Sequence, residues 1–120
     1  MVLRLWVRVL GGPEHGGVRY FLESLRPGVT PETADAVLLV VSELVTNALL
    51  HGGGIFTLRP TAHPDLIEVA VDDPNPQAPC LRTPDVTGGF GWPMVKHLAG
   101  TTAVVHRPTG GKSDSAFLSR

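Results

Sequence analysis

VLLVVSELVTNALLHGGG, residues 37–54, carries the pattern on which the rest of the chain depends. Apolar residues Val37, Val40, Val41, Leu44, Val45, Ala48 and Leu49 recur at helical spacing, which predicts a helix with most of its girth packed against something. Within it Glu43, Asn47 and His51 stand at every fourth position. Residues four apart project from nearly the same side of a helix, so a carboxylate, an amide and an imidazole line up on an otherwise apolar rod. His51 in the last turn and Gly52 just beyond it make a good helix end. Two readings of the polar line compete: a solvated edge, or a row that faces a ligand. Asn is a poor helix former, an exposed face more often carries Lys or Arg, and neither occurs between Val29 and Ile55. The sequence therefore favours the ligand, with a carboxylate able to take a proton and an amide oxygen able to hold a hard cation.

With 120 residues, 42% of them hydrophobic, the chain is expected to form a single domain, residues 1–120, around one core. A net charge of −1 and the lack of any strongly basic run argue against DNA or RNA as a partner. The opening MVLRLWVRVL is interrupted by Arg4 and Arg8, unlike a signal peptide, and no run reads as membrane-spanning; a cytoplasmic location is expected. Cys80 is the only cysteine, which excludes an internal disulfide and a thiolate metal site and leaves either an incidental loop thiol or a reactive one.

In chain order, Leu3, Leu5, Val7 and Val9 alternate with Arg4, Trp6 and Arg8, the period of a half-buried strand whose second face suits an edge or an interface. A short helix is predicted from about Glu14 to Arg26. Thr30, Pro31 and Glu32 supply an N-cap, a first-turn proline and an early acid, so the central helix should run from residue 31 to His51. Ile55–Arg59 and Leu66–Asp72 read as a hairpin about a turn at Thr61–Asp65, closed by Asp72 and Asp73. Four prolines between Asp73 and Thr87 exclude regular structure and mark a functional or a disordered loop. Gly88, Gly89 and Gly91 then lead into a helix opened by Pro93. Glycines at a helix start form either a plain turn or an anion cradle of backbone N–H groups. Thr101–His106 and Ser115–Leu118 read as strands about a turn at Pro108–Gly111. The GGKS at 110–113 is not a Walker A loop, since His106 stands where its first glycine belongs and a strand follows. Helices 14–26, 31–51 and 93–99 need one common apolar layer. The expected fold is an α/β (α+β) two-layer sandwich: a mixed, largely antiparallel sheet covered on one face by three helices.

This order of parts resembles the GHKL, or Bergerat-type, ATP-binding domain, from about Val18 to Leu118. SELVTNALLHGGG is very similar to the N-box of the anti-sigma-factor serine kinases and their short actinobacterial relatives. The resemblance implies ATP and Mg²⁺ as cofactors. It implies that Asn47 holds Mg²⁺ through its amide oxygen and that Glu43 is the base for an attacking serine or water. Asp73 would accept the adenine amino hydrogen. Gly88, Gly89 and Gly91 would wrap the phosphates, Lys112 and Ser113 would lie close to the nucleotide, and His51 matches the box in position. The chain departs from the relatives where Pro74, Asn75 and Pro76 follow Asp73, and where Asp114 and Ser115 replace apolar residues in the last strand.

The function so implied is an anti-sigma-factor serine kinase, an ATP-binding regulator that binds a sigma factor and phosphorylates an anti-sigma-factor antagonist. A homodimer is suggested by the relatives. The alternatives are a non-catalytic, nucleotide-dependent binding module and a detached histidine-kinase-like ATPase domain.

Overall fold

The computed structural model describes residues 3–4, 7–9, 14–51, 56–74, 91–108 and 110–120. Six strands and three helices follow in the order β1 (Leu3–Arg4), β2 (Val7–Val9), α1 (Glu14–Glu23), α2 (Pro31–His51), β3 (Phe56–Ala62), β4 (Leu66–Asp73), α3 (Gly91–Leu98), β5 (Thr101–His106) and β6 (Lys112–Ser119). The strands form one sheet ordered β1/β2-β3-β4-β6-β5, with β1 and β2 on the same edge of β3. Every described pairing is antiparallel, so the parallel component expected of a mixed sheet is absent among the described residues.

Alternate strand residues build the layer under the helices. Phe56, Leu58 and Ala62 of β3, Ile67, Val69 and Val71 of β4, and Ala116 and Leu118 of β6 are all buried in the core. Val18, Phe21, Leu22 and Leu25, from α1 and the turn after it, join Val95 of α3 in that same cluster, so the three helices share one face of the sheet. Helix α2 lies at its centre, with Val37, Val40 and Val41 fully buried and Leu44, Val45 and Ala48 nearly so. A valine costs a helix a few tenths of a kcal/mol in propensity, whereas burying its side chain contributes about 1.5–3 kcal/mol. Packing, not propensity, holds this helix. Its start is the expected cap: Thr30 Oγ1 accepts from the Thr33 N–H at 3.1 Å.

Residues 31–50 of α2 have a mean hydropathy of 1.6 over a 20-residue span, long and apolar enough by composition to cross a membrane, which corrects the expectation that no run reaches that length. In this fold the same residues are the core helix. Strand boundaries also move. β3 continues through Pro60 to Ala62, and β1 and β2 share one register against it, leaving Arg59 and Pro60 between them. β6 begins at Lys112, three residues before the apolar signal at Ser115 suggested.

Candidate functional site

Along α2, Glu43 and Asn47 are half-buried between the core residues Val40, Leu44 and Ala48 and the exposed Leu39 and Leu50. The polar line therefore runs along the shoulder of the helix, where one side touches the core layer and the other is open. That position suits groups that serve a bound ligand. Helix α2 ends at His51, whose backbone alone is described.

A second group of polar residues closes the ends of β4 and β6 on the helix-covered face. Asp73 and Lys112 are register partners, and Val71 pairs with Asp114. Strand alternation puts Lys112 and Asp114 on the same side as Ala116 and Leu118. Lys112 Nζ donates to both carboxylate oxygens of Asp73, at 2.8 and 3.0 Å, with both residues 2% exposed. Asp114, 1% exposed, has Oδ2 at 3.8 Å from the same ammonium, and its Oδ1 has no hydrogen-bond partner among the described residues. Burial pushes the Asp114 carboxyl up to about 6, with the Lys112 ammonium pulling the other way and the Asp73 and Asp72 carboxylates adding to the rise.

The neighbouring carboxylate faces the other way. Asp72 accepts a two-pronged contact from Arg59, Nε at 2.7 Å and Nη2 at 2.8 Å, and a hydrogen bond from the Ser113 hydroxyl. Burial alone would raise the Asp72 pKa, but the bonds from Arg59 and Ser113 outweigh it and hold the group below the usual carboxylate range. A depressed acid contributes stability above its ordinary value, and that contribution fades as pH falls through the folded one. Arg59→Ala is therefore expected to destabilise the domain by about 1–2 kcal/mol at pH 7, and by less at pH 3, in urea unfolding. An equal loss at both pH values would show that ionised Asp72 is not the partner that matters.

These placements sort the residues singled out in the sequence. Asp73 and Lys112 come together, but as partners of each other. Ser113, expected beside Lys112, lies on the opposite face and serves Asp72, because consecutive strand residues point to opposite sides. Gly91 opens α3 two residues before the expected Pro93, and no acidic side chain stands in that first turn to oppose an anion. Gly88 and Gly89 lie outside the described residues, as do Cys80 and the 75–90 segment. Among the described residues no three His, Cys, Asp or Glu side chains converge into a metal cage. A cleft of about 240 Å³ between α1 and the N-terminal half of α2, lined in part by Arg19, Leu22, Ala34 and Leu38, includes none of these residues. Asp114 was visible in the sequence only as a departure; its signal was the alternation Lys112, Asp114, Ala116, Leu118, which continues a helix-facing row through polar residues.

No curated protein matches the chain. The histidine kinase-like ATPase domain family, in contrast, matches residues 14–113. That span reaches from α1 through the helix-shoulder amide to the buried Asp73–Lys112 pair, and by it the chain belongs to the histidine kinase-like ATPase domain family, an ATP-binding domain of GHKL type.

Proposed function

We propose that this ATP-binding domain is a serine/threonine kinase of the anti-sigma-factor kind, which holds a sigma factor and phosphorylates a small antagonist protein in the cytoplasm. The observation that carries the reading is Glu43, half-buried on the α2 shoulder one turn before Asn47. A domain that only bound nucleotide would have use for the amide but none for a carboxylate placed beside it. In the proposed step the serine oxygen bonds to the terminal phosphorus as its proton passes to Glu43, and the bond to the bridging oxygen breaks to release ADP.

Asn47, half-buried on the same helix shoulder, would offer an amide oxygen to Mg²⁺. That fits an ion that takes one or two protein ligands alongside substrate phosphates, and the ion would supply charge neutralisation there. Asp73 would read the adenine amino group, and Gly88, Gly89 and Gly91 would carry the phosphates. A homodimer would use the β1–β2 edge, where Arg4 and Arg8 stand opposite Thr61 and Thr57.

The test is incubation with labelled ATP, Mg²⁺ and candidate antagonists from the same genome. Glu43→Ala should bind ATP almost normally and transfer phosphate roughly 10²–10⁴-fold more slowly. Asn47→Ala should bind ATP weakly and without response to Mg²⁺, and so transfer nothing. If the wild type labels no candidate while ATP still changes its affinity for a partner, the kinase reading gives way to a nucleotide-dependent binding module.

A further inference from the structure

Three buried charges sit together at the ends of β4 and β6, and among the described residues they do not balance. Two carboxylates, Asp73 and Asp114, share one ammonium, Lys112, and all three residues are at most 2% exposed. Lys112 is committed to Asp73, both oxygens within 3.0 Å, while Asp114 is left at 3.8 Å with one oxygen unpartnered among the described residues. An ionised group left in this state is costly. The cost makes sense if the domain has a second arrangement in which Asp114 is used. Asp73 is the register partner of Lys112, and Asp114 lies two residues further along the same strand and the same face, so the flexible lysine stem can carry its ammonium to either carboxylate without moving the backbone.

We propose that Lys112 is a two-position latch, seated on Asp73 in the nucleotide-free domain and shifted onto Asp114 when a purine amino group takes its place at Asp73. Asp114 is then a positioning residue: it never touches the base, but it provides the seat that lets Lys112 leave. This rests on the reading of Asp73 as the adenine acceptor.

The latch ties nucleotide binding to a proton. In the nucleotide-free domain Asp114 holds a proton up to about pH 6; the arriving ammonium favours the ionised form, so binding expels that proton and weakens as the pH falls below 6. The charges around Asp114 are Asp73 and, across the sheet, Asp72 on β4, His106 on β5, and Lys112 on its own strand. Helices α2 and α3, which cover this face, carry Glu43 at a half-buried position and Lys96 and His97 at exposed ones, and α2 ends in His51.

Calorimetry with ATP on the wild type, Asp114→Asn and Asp114→Val tests the latch, at pH 5.5 and 8 and in two buffers of different ionisation enthalpy. Val at 114 would meet Val71 and Val104 in register and is the variant to use if the amide folds poorly. Both variants are expected to bind ATP roughly 10- to 100-fold more weakly at pH 8, the worth of one charge-assisted hydrogen bond, without a fall in thermal midpoint. Both should also release fewer protons than the wild type at pH 5.5; the nucleotide phosphates titrate near there too, and the variants are the reference that subtracts them. A purely structural Asp114 would lower the midpoint and leave the proton count alone. If the wild type binds ATP and the variants match it in affinity and protons, the latch is overturned and the ATP reading stands. If the wild type binds no ATP, both fall.

Discussion

Asp73→Asn should cost the domain its nucleotide and a large part of its stability together. From the sequence alone this variant is expected to lose the adenine contact and keep its fold, because Asp73 reads as an acid at a strand end. The structure changes that expectation, since the carboxylate is 2% exposed and takes two short contacts from an equally buried ammonium. Removing one member of a buried ion pair typically costs about 3–5 kcal/mol, because the survivor stays desolvated without a partner. Asp114, at 3.8 Å, can accept the stranded ammonium and should hold the loss near the lower end, about 3 kcal/mol. Native domains have only about 5–15 kcal/mol in total, so such a loss is large. Urea unfolding and ATP calorimetry on one preparation check both halves. Unchanged stability with lost binding would show that the pair contributes nothing to the fold.

Gly111→Ala should be of similar size, for a backbone reason. Gly111 has φ +80°, and a Cβ there would clash with the Asp73 carbonyl oxygen and stand 2.9 Å from the Pro74 Cα. Both are main-chain atoms and cannot swing aside, so the end of β4 must move. The left-handed conformation adds about 1–2 kcal/mol and the forced shift about 1–3 kcal/mol, about 2–5 kcal/mol together. Gly110→Ala is the control. It has φ +97° with nothing within 4 Å of the added methyl, and should show the conformational cost alone. Equal midpoints for the two variants would mean that β4 yields freely; otherwise Gly111→Ala should also weaken ATP binding, since the shifted residue is Asp73.

Helix α2 was fully legible in the sequence because its cap, apolar period and glycine end are local features, and each is determined within a few residues. The sheet was less so. From the sequence β3 ends at Arg59, three residues short of its observed end at Ala62. From the sequence β6 begins at Ser115, three residues late, because Lys112, Ser113 and Asp114 carry no apolar signal. Their burial depends on β4 and β5 lying on either side, a fact of tertiary pairing that no window along the chain contains. For the same reason Lys112 and Ser113 read as one motif, when the pleat sends them to different faces.

Asp72 and Asp73 stand side by side in the chain and answer to different solvents. The Arg59–Asp72 pair keeps side-chain exposures of 21% and 9%, whereas Lys112–Asp73 keeps 3% and 1%. Dissolved ions screen charges over about 10 Å at 0.1 M, but only where the field passes through water. Raising ionic strength should therefore loosen the outer face of the sheet and leave the helix-covered face untouched. One strand, through consecutive residues, insulates the second carboxylate from the salt that reaches the first.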